Sequence, residues 1–299
     1  MRRFAVMMLA CVAPGVLAQG APASPTEPSR QFDAARGAEL DNWQWRAQRG
    51  VEMSEPEKAV QAVLEAVTQR DCSAAATRLN AGLAKAYPEV VVLAGAMYEE
   101  GICLKPNWQR AASLYERAAA AKHPGAAARL AAGYASPAGG RDLAASLWWA
   151  LRARTALPSA CTQVTPLVDN PDRFVAALKG WPAGQLGHCV YMGAVMATVQ
   201  AEIEAPGLAA AYGLEGTVRL SFVPEASRID ITEDLSPAVV PTGVLSDAAT
   251  RERDLRAART ALSGYLRQLA DRAVKRYERP AALPAGWRAD AEHAVRVSR

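Results

Sequence analysis

Residues 93–134 read LAGAMYEEGICLKPNWQRAASLYERAAAAKHPGAAARLAAGY, and the echo inside this stretch organises the chain. Pro88 and Pro124 stand 36 positions apart, as do Tyr98 and Tyr134. Each proline opens a helical run, over 90–101 and 125–137, and a loop leads each into a second helix, over 108–121 and 142–156. The second loop is shorter, so Leu114-Tyr115 aligns with Leu147-Trp148. Ala94, Gly95, Ala111, Ala118, Ala119, Ala132, Gly133, Ala145 and Ala150 are small, which lets paired helices approach closely while aromatic rings fill the grooves between pairs.

Working outward, Val60, Val63, Leu64 and Val67 make one apolar stripe on a helix over 57–68. Ser73 reads as the N-cap of a helix over 74–86. Prolines 158, 166, 171 and 182 break up the segment that follows the repeats, where only 172–178 reads as helical. After residue 190 the rhythm changes. Residues 217–223 alternate apolar and polar, and 227–232 repeat the alternation after Pro224-Glu225-Ala226, which reads as a hairpin. Leu255, Ala258, Leu262, Leu266, Leu269, Ala273 and Tyr277 then lie on one face of a long helix that Pro280 ends, and 293–298 form a closing strand.

The repeated stretch resembles Sel1-like repeats, helical-hairpin relatives of the tetratricopeptide repeat. The likeness rests on Leu-x-Gly-x-x-Tyr-x-x-Gly at Leu93, Gly95, Tyr98 and Gly101, and on Ala-x-x-x-Tyr-x-x-Ala-Ala at Ala111, Tyr115, Ala118 and Ala119. It covers about residues 57–156. The second unit departs from the signature, with Pro137 in place of Gly and Trp148 in place of Tyr. The resemblance implies a scaffold that binds other proteins. Some secreted relatives staple their hairpins with disulfides, a habit that Cys72 and Cys103 fit. The last hundred residues resemble the C-terminal domain of TonB-type energy transducers, through 206–211, the run 213–218 and the alternation up to Phe222. Ala205-Pro206 replaces the usual Tyr-Pro, an insertion spans 234–247, and there is neither membrane anchor nor long Pro-rich spacer. What this likeness implies is the fold and the use of exposed strand edges.

The chain has 299 residues, 51% hydrophobic and 21% charged, enough for a sizeable core and too apolar for a disordered polyelectrolyte. Residues 1–18 read as a signal peptide: Arg2 and Arg3, a short apolar stretch, and Val16-Leu17-Ala18 before Gln19. Cleavage after Ala18 is the expectation, and lipidation at Cys11 after Leu9-Ala10 is its competitor. No later apolar run approaches the roughly 18 residues needed to cross a bilayer. Export places Cys72, Cys103, Cys161 and Cys189 in an oxidising compartment, which points to two disulfides. Four cysteines allow three connectivities. Cys72–Cys103 and Cys161–Cys189 are favoured, because each closes a local loop of about 30 residues worth roughly 3 kcal/mol.

Little reads as chemistry. His123, His188 and His293 lie outside any recognisable catalytic or zinc spacing, so no catalytic residue, metal or cofactor is expected. Glu99-Glu100 and Glu202/Glu204 read as exposed surface carboxylates. Residues 251–299 hold 11 Arg and 1 Lys against 6 acidic residues, a local +6. That face reads as solvated, with anionic lipid headgroups or an acidic partner as the alternative; export argues against nucleic acid.

The expectation is therefore a mainly α chain: a signal peptide over 1–18, a linker over 19–50, an α-helical-hairpin solenoid of Sel1-like repeats over 51–160, a cap over 161–194, and a small α+β domain with a short antiparallel sheet over 195–299. The expected function is an exported, periplasmic or secreted scaffold that binds a protein or peptide partner of the cell envelope. Tyr98, Trp108, Tyr134 and Trp149 on the hairpins, with Val295 and Val297 on the closing strand, are the expected contacts. An outer-membrane lipoprotein with a structural role and a disulfide-stapled hydrolase of cell-wall-like substrates are the alternatives.

Overall fold

The computed structural model describes residues 53–203, 214–237 and 248–295. The expected leader, the linker, Cys11, the 206–211 motif and Val297 lie outside these residues. The fold is mainly helical, with one small antiparallel sheet.

Three helix pairs come first: α1 (Glu55–Thr68) with α2 (Cys72–Ala84), α3 (Pro88–Glu100) with α4 (Trp108–Ala120), and α5 (Ala126–Ala135) with α6 (Leu143–Arg152). Their starts are written locally. Ser54 and Glu57 form a capping box on α1, Asn107 caps α4, and Asp142 caps α6. The cap of α2 is Asp71 and not Ser73, because the Asp71 carboxylate accepts from the Ala74 N–H at 2.9 Å. The second and third pairs close alike. The amide of Asn107 donates to the Tyr98 carbonyl at 2.8 Å, and that of Asp142 to the Tyr134 carbonyl at 2.9 Å. Helices α1, α4 and α6 also end alike. Arg70, Lys122 and Arg154 take left-handed φ of 58°, 60° and 55°, and the next amide reaches back five residues at 2.9 Å.

Between the pairs and the sheet the structure departs from the sequence reading. Short helical turns at Ser159–Thr162 (α7) and Thr165–Leu167 precede α8 (Pro171–Leu178), and α9 (Gln185–Ile203) then runs unbroken through the expected boundary at 194/195. Thirteen of its 19 residues are buried. A helix apolar all round carries no 3.6-residue stripe to read, which is why the pattern hid it. One face of α9 packs on α5 and α6, and the other on α10 (Ala248–Arg276) and β3 (Ala289–Val295). A single buried cluster thus runs from Ala135 to Val295.

The sheet is built from β1 (Leu214–Val223), β2 (Arg228–Pro237) and β3, in the order β2-β1-β3, all antiparallel. Leu214, Val218, Leu220 and Phe222 face inward, at 1% exposure or less, onto Leu262, Leu266 and Leu269 of α10. The hairpin is longer than the alternation indicated. Leu214 pairs with Pro237, so the first part of the expected insertion is strand, and β3 begins four residues before the expected His293.

Both disulfides are present, Cys72–Cys103 and Cys161–Cys189. The first ties the start of α2 to the α3–α4 loop, and the second ties α7 to α9.

Candidate functional site

A cleft of about 840 Å³ opens where the C-terminal end of α10 meets the helix pairs. Glu99 and Glu100 end α3 on one side, and Asn107, Trp108 and Gln109 start α4 beside them. The loop after α5 adds Ser136, Ala138, Gly139 and Gly140, Thr198 of α9 lies beneath, and α10 supplies Asp271, Arg272, Lys275 and Arg276. The residues are brought in by the local signals above. Gly101, at φ 72°, stops α3 just past the two carboxylates, and the Asn107 cap starts α4 at Trp108.

Two ion pairs fix the walls. Arg276 donates to Glu99 at 2.6 Å, and the Tyr115 hydroxyl donates to the other oxygen of the same carboxylate at 2.8 Å. Deeper, Arg129 of α5 donates to Glu202 of α9 at 2.7 Å, with side chains 15% and 20% exposed. The Tyr277 hydroxyl donates to the Ala132 carbonyl at 3.1 Å and meets Thr198 Oγ1 at 2.8 Å. These contacts hold the end of α10 against α3, α5 and α9.

The electrostatics follow from burial. Glu100 is pushed up to about 6, first by desolvation and then by its neighbour Glu99, against the opposing pull of Arg276 and Arg129. The phenol of Tyr115 is raised well above its usual value by burial and by Glu99, and that of Tyr277 is raised by burial. Glu99, Glu100 and Glu202 are therefore not the solvated carboxylates of the sequence reading. Their signal was position: two acidic residues at the last turn of a helix face the negative end of its dipole, and they need a cation brought from elsewhere.

The expected contact residues scatter. Trp108 lines the cleft, half-buried, with Tyr134 edge-on at 5.2 Å, and a Cβ at Gly133 would collide with its ring. Tyr98 lies instead on a smaller hollow of about 140 Å³ beside Leu83 and Leu104, with the Arg110 guanidinium 5.1 Å from its ring. Trp149 meets Trp148 edge-on at 4.6 Å, and Arg152 stacks over both rings. The Val295 side chain is 5% exposed, so β3 offers its backbone edge and not that side chain. Among the described residues no cluster of three or more His, Cys, Asp or Glu is arranged to hold a metal, and no helix is long and apolar enough to cross a membrane.

No family model matches the chain, and no curated protein or solved structure matches it.

Proposed function

We propose that the protein is an exported binding scaffold in which Sel1-like helical hairpins and a TonB-like α+β unit together recognise a protein or peptide partner. The observation that carries this reading is the cleft. It is large enough for several side chains, Trp108 is among the residues that line it, and residues far apart in sequence build it jointly. The two disulfides support export, since such bonds persist in oxidising compartments. The outer edges of β2 and β3 supply a second surface to which an extended peptide can add as a strand. The test is crosslinking capture from the cell envelope with the wild-type chain and with Arg272→Glu/Lys275→Glu, each shown to be folded by its thermal transition. A partner that the wild type captures and the charge-reversed variant loses is expected. Equal capture by both would remove the cleft from recognition.

One observation favours a second reading, hydrolysis of a cell-wall-like substrate. A carboxyl group held near 6 in a cleft beside a second carboxylate has the protonation behaviour of a general acid. Turnover of peptidoglycan fragments that Glu100→Gln abolishes would support it, and no turnover would dismiss it.

A further inference from the structure

The cleft sorts its charged groups into those already paired and those left over. Arg276 is taken by Glu99, and Arg129 by Glu202. Among the described residues that line the cleft, the side chains of Glu100, Asp271, Arg272 and Lys275 make no hydrogen bond or ion pair; Asp271 and Lys275 are exposed to water, whereas Glu100 and Arg272 are half-buried. They belong to different elements: Glu100 ends α3, and Asp271, Arg272 and Lys275 lie on the last turns of α10. Arg272 and Lys275 are three apart on a helix, so their side chains are neighbours on one face.

Of these groups, the half-buried Glu100 and Arg272 have the least water to complete them. Glu100 sits at the carboxyl end of α3, where the helix dipole favours a cation, and it has lost part of its water shell. Glu99 next to it has the same problem, and Arg276 solves it. Arg276 and Arg129 act on Glu100 from nearby, but their ion pairs are with Glu99 and Glu202. Across the cleft, Arg272 is half-buried, and its fork of N–H donors suits a carboxylate. Trp108 adds an aromatic ring to the lining of the same cleft.

We propose that this cleft binds short zwitterionic peptides, taking the ligand's ammonium group on Glu100, its carboxylate on Arg272 and Lys275, and an apolar side chain on Trp108. The inference rests on the peptide-recognition reading above and narrows it to free-ended peptides. The volume of about 840 Å³ lies within the range of small-ligand sites, which limits the occupant to a few residues.

The test is equilibrium dialysis of the full chain, disulfides intact, against an equimolar pool of tripeptides, with retained peptides quantified by mass spectrometry. The same pool is run N-acetylated and, separately, C-amidated. Free-ended peptides are expected to be retained, and either cap to lower retention by about tenfold or more. Glu100→Gln should erase the effect of acetylation and leave that of amidation. Arg272→Gln with Lys275→Gln should do the reverse. The capped pools need no mutation, so a variant that misfolds does not spoil the result. Equal retention of free and capped pools, or no retention of any tripeptide, overturns the proposal. If no tripeptide is retained while envelope capture still depends on Arg272 and Lys275, this inference fails and the scaffold reading stands.

Discussion

Arg276, in the last turn of α10, donates a hydrogen bond of 2.6 Å to Glu99, in the last turn of α3, across 177 residues of chain. The Arg276 side chain is 31% exposed and that of Glu99 11%, so the pair is partly wet. Replacing Arg276 with Met leaves the Glu99 carboxylate with Tyr115 alone. We expect a loss of about 1–3 kcal/mol in urea denaturation, the cost of a charged group left short of a partner. The same change takes away a cation that lowers the Glu100 titration, so carboxyl-detected NMR should find Glu100 titrating above its wild-type value. A lower value would contradict the arrangement.

Glu100 also makes stability depend on pH. The groups that act on it are Glu99 from its own helix, Arg276 from α10, Arg129 from α5 and Glu202 from α9. Its folded-state value, about 6, lies above the ordinary 4.5, so the folded chain holds the proton more tightly than the unfolded chain. Between these two values the contribution of Glu100 to stability falls as pH rises, by on the order of 2 kcal/mol in total, and above them the penalty is constant. Glu100→Gln should be more stable than wild type at pH 8 by about that amount, with the difference vanishing near pH 4. Urea midpoints at the two pH values decide it. A variant less stable at pH 8 would mean that the charged form is favoured by the fold.

The Arg129–Glu202 pair locks α5 to α9 in a drier place. Glu202→Gln leaves a guanidinium buried without its counter-charge, and the expected loss is about 3–5 kcal/mol. Glu55→Gln breaks the Lys58–Glu55 pair, whose side chains are 45% and 64% exposed, and should change the same midpoint by less than about 1 kcal/mol. Similar effects for the two substitutions would contradict the burial assigned to α9.

The two disulfides differ in access. Cys161 and Cys189 are fully buried, whereas Cys72 is exposed and Cys103 half-buried. Under mild dithiothreitol in native buffer, alkylation followed by peptide mapping should label Cys72 and Cys103 first. The freed α3–α4 loop carries Pro106 and Asn107 of the cleft, so partial reduction should weaken partner capture before the fold is lost. Labelling of Cys161 at an equal rate would show that the α7–α9 junction opens readily.

Gly133 tests the packing of Trp108 in the cleft. Gly133→Ala drives a methyl group into the Trp108 ring, and the expected cost is about 1–3 kcal/mol, with a shift in tryptophan emission as the ring moves. Unchanged emission would place the ring elsewhere.

Legibility in the sequence followed periodicity and local chemistry. The alternation at 217–223 exposes one face of β1 and buries the other, and the stripe from Leu262 to Ala273 lies against it, so both elements were readable. Short loop closures were enough to favour the disulfide pairing that the structure shows. Helix α9 was not readable, because a segment buried on all sides shows neither period. The site was missed for a related reason. Glu99 and Glu100 resemble any acidic helix end, and what sets them apart is Arg276, whose approach depends on how α10 lies on α9. Of the expected contact residues that are described, Trp108 lines the cleft, while Tyr98 lies on the smaller hollow and Trp149 packs against the alanines of α5, α6 and α9.

The proposed recognition takes place in the cleft between α3, α4 and α10. Its most direct test is a photo-crosslinking amino acid placed in living cells at Gln109, on the cleft rim, and separately at Thr77, exposed on α2 away from it. One discrete crosslinked species is expected at Gln109, absent at Thr77 and lost in Arg272→Glu/Lys275→Glu. The same species at both positions, or one at Thr77 alone, would contradict it.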